Sequence, residues 1–334
     1  MSSPCQAGWL CSANKNSANL STDYFTNRQD RYHLFSSADV TNYFHRIHCA
    51  VASLSYLVTP STSQQGFALS WPNASPSPLD APNKFVKHAS EVLNPLIKPT
   101  SVPSSEVTDT RVYIVTQMSQ LLKPDISTEL PALTHVLRVL AREEYASSSW
   151  TFTAGYFNPA PSLTKLLLST AKGGDSAVIT ASPQANGFYK SPGVSGLLPP
   201  AYTVLLRRFL DAAHREGRHD ISAMEWRRGT VGTPDGWTYH AKGLWVTLPN
   251  EEGPSMTIVG SSNYTKRSYS LDLEAGALMV TNDEGLKRRL EDERKGLQEY
   301  AGRTTRDDLT KVDRRVGFHV RVAMWIVKMV GGAL

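Results

Sequence analysis

The feature that most constrains this chain is a run of aromatic and β-branched residues, Trp237–Val246, which carries His240 and Lys242 two positions apart. Such a composition favours an extended strand, and side chains two positions apart on a strand point to the same face. Imidazole can attack phosphorus or donate a proton near neutral pH, and an ammonium group can bind the anionic oxygens. The run therefore predicts phosphoryl-transfer chemistry on a strand.

A turn and an acid follow this strand. The apolar residues 256–259 end at Gly260, and the small polar residues Ser261, Ser262 and Asn263 come next. These residues are able to open a helix, whose free backbone amides would form an anion site. The acid is Glu274, eleven positions after Asn263.

The same spacing occurs near the N-terminus, where Asp30 lies eleven positions after Asn19. An internal repeat indicates two structural halves, and a site often forms where the halves meet. Residues 1–18 contain no histidine, so nothing like His-x-Lys precedes Asn19. The first copy of the site is therefore expected to be incomplete.

His240-x-Lys242, the Gly-Ser-Ser-Asn turn and the acid resemble the second His-Lys-Asp motif of the phospholipase D superfamily. A closer resemblance is to the mitochondrial phosphatidylglycerophosphate synthase family, and it spans roughly residue 17 to the C-terminus. Four runs carry it: Ser17–Tyr32, Thr153–Pro159, Ala181–Tyr189 and Tyr239–Trp245. Two features depart from the family pattern. The first His-x-Lys is absent, which suggests an N-terminally truncated member, and Thr247 stands where the motif has Asp.

Strands that alternate with helices favour a layered α/β fold. The pattern predicts strands at 111–115, 150–154, 176–181, 221–226, 256–259 and 275–281, and helices at 39–57, 130–145, 163–171, 200–216 and from Asp283 and Arg306. The resemblance implies a phospholipase D-like fold, in which two similar α/β lobes enclose the site and the first lobe is incomplete here. Residues 1–57 would be the remnant of the first lobe and 58–108 a Ser/Pro-rich connection. Residues 109–334 would form the second lobe, with the complete His-x-Lys motif and a basic amphipathic C-terminus.

The resemblance also implies an activity: transfer of a phosphatidyl group from CDP-diacylglycerol to glycerol 3-phosphate, with release of CMP. The route would pass through a phosphohistidine and need neither metal nor cofactor. The attacking histidine belongs to the family's first motif, so His240 would be the acid and base.

The remaining site residues follow from the same resemblance. Lys242 and Asn263 would bind phosphate oxygens, although in isolation they fit a surface lysine and a helix cap. Because the acid of one half tends to contact the histidine of the other, Asp30 would pair with His240 and Glu274 would lack a partner. We expect the carboxylate to favour the imidazolium form. Solvated salt bridges are the alternative for both acids.

An aromatic rim is expected next to the site. Gly187, Phe188 and Tyr189 follow a predicted strand and offer an aromatic face for cytosine; Gly155–Asn158 forms a similar turn. Ordinary hydrophobic core is an equally good interpretation of these residues. The other eight histidines show no metal-ligand spacing with acids, so no metal site is predicted.

The net charge of +5 is modest, but basic residues cluster in the C-terminal third. There Phe318, Val322, Trp325 and Met329 recur at helical spacing and predict an amphipathic helix, which either packs on the core or lies in a membrane interface. We expect peripheral association with an anionic membrane and no nucleic-acid partner. By resemblance, the location is the matrix side of the mitochondrial inner membrane.

Two alternatives to an active transferase remain open. The chain could be a catalytically inactive remnant of that enzyme. It could instead be a phospholipase D-like phosphodiesterase in which two chains each contribute one His-x-Lys.

Overall fold

The computed structural model describes residues 13–16, 21–98 and 108–329. The strands in these ranges are β1 (Ala13–Asn16), β2 (Arg28–Gln29), β3 (Tyr32–Phe35), β4 (Leu57–Pro60), β5 (Phe67–Ser70), β6 (Thr110–Gln117), β7 (Ser149–Ala154), β8 (Ser176–Ala181), β9 (Ile221–Trp226), β10 (Thr238–Tyr239), β11 (Lys242–Thr247), β12 (Met256–Gly260), β13 (Glu274–Thr281) and β14 (Ala301–Thr304). The helices are α1 (Thr22–Thr26), α2 (Ala38–Ser53), α3 (Pro82–Ile97), α4 (Glu129–Val139), α5 (Pro161–Ser169), α6 (Leu198–Arg215), α7 (Lys266–Ser270), α8 (Glu284–Gln298) and α9 (Phe318–Met329).

An eight-stranded mixed sheet forms the centre of the structure, in the order β14-β9-β8-β7-β11-β12-β13-β6. Strands β7, β8 and β9 are parallel, and the other neighbours in the sheet are antiparallel. Every residue of β8 is buried, as expected for a central strand covered on both faces.

Helices cover both faces of this sheet. On one face, Leu137 of α4, Leu163 of α5 and Phe209 of α6 pack in a cluster with Phe152 of β7. On the other face, Leu290 and Leu297 of α8 pack with Trp226, Tyr239 and Trp245. Neighbouring strand residues alternate between the two clusters because successive side chains point to opposite faces. The predicted α/β class is therefore confirmed, and strands or helices lie at most of the positions predicted between 110 and 300.

The part before β6 contains smaller units. Strand β1 pairs antiparallel with β3, and β2 pairs parallel with β10. Helices α2 and α3 pack together through residues that include Ile47, Phe85 and Leu93. The segment predicted as a plain connection thus holds the β4–β5 hairpin and a sixteen-residue helix. Its apolar spacing at Phe85, Ala89 and Leu93 was a helical signal that the Ser and Pro content obscured. The domain boundaries themselves stay a prediction.

Three predicted elements differ from the structure. The strand expected across Trp237–Val246 is interrupted at His240 and Ala241, because β10 pairs with β2 whereas β11 pairs with β7 and β12. The helix expected to open at Ser261 begins at Lys266, where the Thr265 side chain caps it by accepting from Ser268 N. The helix expected from Arg306 is replaced by single turns at Asp308–Thr310 and Val312–Arg314 before α9.

Candidate active site

The predicted site residues meet at one edge of the central sheet. Lys242 begins β11, Gly260 ends β12 and Glu274 begins β13. The antiparallel register pairs Leu244 with Ile258 and Gly260 with Gly276. Since the start of one antiparallel strand lies beside the end of its neighbour, this register brings the three positions to the same edge.

His240 lies between β10 and β11, next to the end of β7. Its backbone N–H donates to Gln29 O at 2.8 Å, which ties it to the N-terminal segment. The residue after β7 is Gly155, and a Cβ there would lie 2.6 Å from Tyr239 O and 3.0 Å from His240 Cα. The close approach of the two backbones therefore requires glycine at position 155.

Asp30 contacts His240, as the expected cross-pairing of the two halves predicts. Asp30 Oδ2 lies 3.0 Å from His240 Nδ1, and Oδ1 accepts from the backbone N–H of Arg31 at 2.9 Å. A carboxylate only accepts hydrogen bonds, so Nδ1 carries the proton in this contact and Nε2 keeps its lone pair. The contact is confirmed; that Asp30 serves the chemistry is a proposal.

Lys242 lies against the His240 ring. The side chain is 2 % exposed, and its Nζ lies 2.8 Å from Nδ1 and 2.9 Å from Nε2 of the imidazole. Burial lowers the pKa of Lys242 to about 8, while the carboxylates of Asp30 and Glu274 oppose that shift. The predicted placement of the two side chains on one side is thus present, although they do not share a continuous strand.

The Asp30 carboxylate favours the imidazolium form of His240, as expected, but it does not decide the net protonation of this side chain. Burial and the neighbouring Lys242 charge lower the pKa of His240 to about 4, although the Asp30 carboxylate acts in the opposite direction. His240 is therefore neutral at pH 7, with Nε2 available as a base.

Arg31, which the sequence did not single out, holds Asp30 in place. Its guanidinium is 1 % exposed and donates from Nη1 to Ile258 O at 2.7 Å and to Lys242 O at 3.2 Å. It also stacks 3.7 Å from the Trp245 ring centre. Gly243 has φ +148°, and a side chain there would collide with the guanidinium. An arginine directly after the predicted acid was the only sequence signal for this role.

The Gly-Ser-Ser-Asn turn is held by buried hydrogen bonds. Ser261 Oγ donates to Glu274 Oε2 at 2.5 Å, so a hydroxyl from its own half contacts this acid. The expected loss of a histidine partner from the other half stays a prediction. Burial raises the pKa of Glu274. Ser262 is buried and its Oγ accepts from Tyr264 N at 3.0 Å. Asn263 is half-buried, and its Oδ1 has no hydrogen-bond partner within the ranges that the structure describes.

A second acid, Glu129 at the start of α4, lies beneath this turn and was missed by sequence reasoning. It is 1 % exposed, and burial raises its pKa to about 8 while a hydrogen bond with Ser262 opposes the shift. Its Oε1 has no partner among the described residues. An acid in a first helical turn is ordinary, so the sequence carried no signal for its burial.

An aromatic rim surrounds His240. The ring centres of Tyr24 and Tyr156 lie 5.4 and 5.8 Å from the imidazole, and Phe188 lies 5.6 Å from Tyr156. Arg28 stacks 4.3 Å from the Tyr24 ring centre. Aromatic rings therefore lie next to the site at Phe188 and Tyr156, where the rim was expected, whereas Tyr24 and Arg28 had not been assigned to it.

Of the remaining predicted site residues, Gly187 and Tyr189 lie beside residues other than His240. A Cβ on Gly187 would lie 3.1 Å from the Tyr156 hydroxyl, so this glycine also borders the rim. Tyr189 lies beside Lys190, whose Nζ is 5.4 Å from its ring centre. Asn19 lies outside the described residues.

Within the described ranges, no group of three or more His, Cys, Asp or Glu side chains is arranged to hold a metal ion. The site instead presents one neutral imidazole, one buried amine and a nearby guanidinium to the rim. This set of groups can bind an anionic phosphate and move a proton at Nε2. Metal-free chemistry stays a prediction.

Comparison with known proteins identifies relatives over most of the chain. No protein-family model matches it. It is 41 % identical over 325 residues to the CDP-diacylglycerol–glycerol-3-phosphate 3-phosphatidyltransferase of Saccharomyces cerevisiae, covering 93 % of this chain and 62 % of the relative. The Schizosaccharomyces pombe protein of that name is 36 % identical over 337 residues, with 88 % and 65 % covered. The mitochondrial protein of that name from Homo sapiens is 28 % identical over 335 residues, with 93 % and 57 % covered. The chain thus spans about three fifths of the length of these relatives.

A solved structure shows the same fold. The crystal structure of phosphatidylserine synthase from Haemophilus influenzae Rd KW20 matches with a TM-score of 0.66 and covers 96 % of this chain and 67 % of that chain. At 18 % identity, the likeness shows the fold alone. The chain therefore has the α/β fold of that structure, in agreement with the predicted fold class.

Proposed function

We propose that this chain, which belongs to the family of the CDP-diacylglycerol–glycerol-3-phosphate 3-phosphatidyltransferases, supplies the proton-transfer part of a site that makes phosphatidylglycerophosphate. The substrates are CDP-diacylglycerol and glycerol 3-phosphate, and CMP is released. One observation carries the proposal: His240 is held between Asp30 at 3.0 Å and Lys242 at 2.9 Å, at a sheet edge open to an aromatic rim.

The reaction requires two displacements at the phosphatidyl phosphorus. In the first, an imidazole nitrogen bonds to phosphorus, the bond to the CMP oxygen breaks, and CMP leaves. In the second, the glycerol 3-phosphate hydroxyl oxygen bonds to phosphorus, the phosphorus–nitrogen bond breaks, and the hydroxyl proton needs a base. The unprotonated Nε2 of neutral His240 suits the second step.

The first step needs the opposite protonation state. A phosphate anion at the sheet edge would offset the positive charge of Lys242 and raise the pKa of His240, so that the imidazolium could protonate the CMP oxygen. Lys242 and Arg28 would hold the phosphate oxygens. Asn263 lies in the adjacent turn, where its side-chain amide could donate a further hydrogen bond.

The attacking imidazole is a separate requirement. His240 is the one histidine of the 334 residues that is followed two positions later by lysine. We infer that the nucleophile comes from outside these residues, so that the chain alone provides acid–base and phosphate-binding groups.

Location and membrane contact belong to the proposal as well. The mammalian relatives are named mitochondrial, which supports a mitochondrial location. The finer placement, on the matrix face of the inner membrane, rests on the family resemblance and is proposed. None of the described helices is long and apolar enough to cross a bilayer.

CMP release from CDP-diacylglycerol and glycerol 3-phosphate tests this function in an enzyme with both His-x-Lys motifs. We expect His240→Ala to lower turnover on the order of 10²- to 10⁴-fold, and Lys242→Ala to lower it strongly while the protein stays folded. The exposed His135→Ala and Lys165→Ala are matched controls and should leave turnover unchanged. Unchanged turnover in folded His240→Ala would remove His240 from the mechanism. Hydrolysis without glycerol 3-phosphate would instead favour a phosphodiesterase.

A further inference from the structure

A basic cavity of about 540 Å³ lies away from His240, between α6, α9 and the turns that precede α9. Five arginines line it together with a single acid, Asp211: they are Arg207, Arg208, Arg314, Arg315 and Arg321. We propose that this cavity binds the phosphate of an anionic lipid headgroup while α9 lies in the surface of the same membrane.

The charges of the cavity are only partly neutralised within the protein. Arg314 forms an ion pair with Glu225, in which Nη2 and Nη1 lie 2.5 and 2.7 Å from the two carboxylate oxygens. Asp211 Oδ1 lies 2.7 Å from Arg306 Nε. For Arg208, Arg315 and Arg321, the described part of the chain offers no carboxylate within ion-pair distance. All three are exposed and therefore accessible to a ligand.

Guanidinium groups are suited to this ligand. The planar guanidinium donates paired hydrogen bonds that match the oxygens of a phosphate, and it is less strongly hydrated than an ammonium group. Several guanidinium groups around one concave surface therefore favour a phosphate ester over an isolated carboxylate.

Helix α9 indicates where the phosphate comes from. Val320 and Met324 are buried against Ala201 of α6, so one side of α9 is fixed to the protein. The other side is apolar and exposed: Phe318 is 81 %, Trp325 61 % and Met329 65 % exposed. Together with the exposed Val322, these residues recur every three to four positions, so they form one stripe along the helix.

A lipid surface supplies both a phosphate for the arginine cavity and an apolar environment for the exposed stripe of α9. An apolar helix face flanked by arginines is the pattern of a helix that lies in the interface, with tryptophan at headgroup depth. Arg321 belongs to both parts, since it lines the cavity and projects from α9. A soluble phosphate would satisfy the cavity but leave the apolar stripe in water.

The cavity is connected to the proposed active site through α6. Tyr202 lies 5.5 Å from Tyr156 in the rim, and the next residue, Thr203, lines the cavity. A membrane bound at the cavity would therefore lie near the rim that has to receive a lipid substrate. The inference rests on the proposed function in this respect, but its test reads membrane binding and not turnover.

Sedimentation of the 334-residue chain with lipid vesicles tests the proposal. We expect binding to vesicles of phosphatidylcholine and phosphatidylglycerol, and little binding to phosphatidylcholine alone. Arg208→Gln with Arg315→Gln should weaken binding about tenfold or more, at roughly 1 kcal/mol for each charge near the surface. The matched control, Arg288→Gln with Arg289→Gln, removes the same charge from the exposed face of α8 and should have a much smaller effect.

Two further experiments distinguish a lipid headgroup from free phosphate as the ligand. Trp325→Ala should weaken vesicle binding without changing the cavity. Inorganic phosphate at millimolar concentration should not displace the protein from vesicles. Equal losses in the cavity and control variants, or equal binding to neutral vesicles, would overturn the proposal. A third result would also overturn it: inorganic phosphate binds tightly, its binding is unchanged in Trp325→Ala, and it abolishes vesicle binding. If the double variant fails to fold by circular dichroism, Arg321→Gln is the substitute. CMP release by the enzyme with both motifs reports separately on the proposed reaction.

Discussion

Arg31 and Glu293 form an ion pair between a buried guanidinium and a half-buried carboxylate, with Nη2 2.9 Å from Oε2 and Nε 3.0 Å from Oε1. Glu293 also accepts from Trp245 Nε1 at 3.0 Å and contacts His33. Burial would raise the pKa of Glu293, but Arg31 and His33 outweigh it and hold the pKa well below its usual range. The pair anchors the segment that carries Asp30 to both α8 and the central sheet.

We expect Arg31→Ala to destabilise the chain by about 3–5 kcal/mol, because it removes the cationic partner of Glu293 and the guanidinium that donates to two backbone carbonyls. Urea unfolding measures this change. Arg267→Ala, which breaks the exposed pair with Asp272, is the control and should have little effect. Similar losses for the two variants would contradict an anchoring role for Arg31.

The protonation of His240 gives a second prediction. An NMR titration of the free chain should show His240 changing charge near pH 4, since burial and Lys242 lower its pKa. Adding a phosphate ligand should move the His240 midpoint upward. A lowered histidine pKa also means that stability is lost as pH falls from about 6.5 toward 4, because only the unfolded chain takes up that proton. A His240 midpoint near 6.5 in the free chain would be inconsistent with the buried geometry.

Glu129 should make stability fall as the pH rises. Its pKa is raised from its ordinary value to about 8, mainly by burial, so above the ordinary pKa the unfolded state ionises while the folded state stays protonated. Glu129→Gln removes this titration and should stabilise the chain by on the order of 3 kcal/mol near pH 7, with little effect near pH 4. Chemical unfolding at the two pH values measures the difference. As a control, Glu144→Gln at an exposed position should leave the free energy of unfolding unchanged at both pH values. A stabilisation by Glu129→Gln that does not depend on pH would show that the protonation of Glu129 is not its cause.

The 334 residues alone should not release CMP. The proposed route needs two imidazoles with different tasks, and only His240 stands in a His-x-Lys context. Supplied with CDP-diacylglycerol and glycerol 3-phosphate, this chain should show no turnover, whereas an enzyme with both motifs should. Comparable turnover of the two proteins would mean that another group, or a second copy of the chain, supplies the nucleophile.

The sequence by itself determined the positions of most strands and helices and the contact between Asp30 and His240. Strand and helix positions in residues 110–300 follow from apolar periodicity, since a strand alternates its faces and a helix returns to one face every three to four residues. The equal spacing of Asn19 with Asp30 and of Asn263 with Glu274, together with the resemblance, also predicted the Asp30–His240 contact across the two halves.

Tertiary structure decided what depends on burial and on contacts between distant residues. Burial and Lys242 lower the pKa of His240 by more than Asp30 raises it. No local sequence pattern gives the extent to which a side chain is buried. The insertion of Arg31 between Lys242 and Ile258, the protonation of Glu129 and the pairing of Ser261 with Glu274 likewise arise only once the strands are in register. The five-arginine cavity gathers positions more than a hundred residues apart. Periodicity is a property of neighbouring residues, whereas desolvation and long-range charge depend on which surfaces meet.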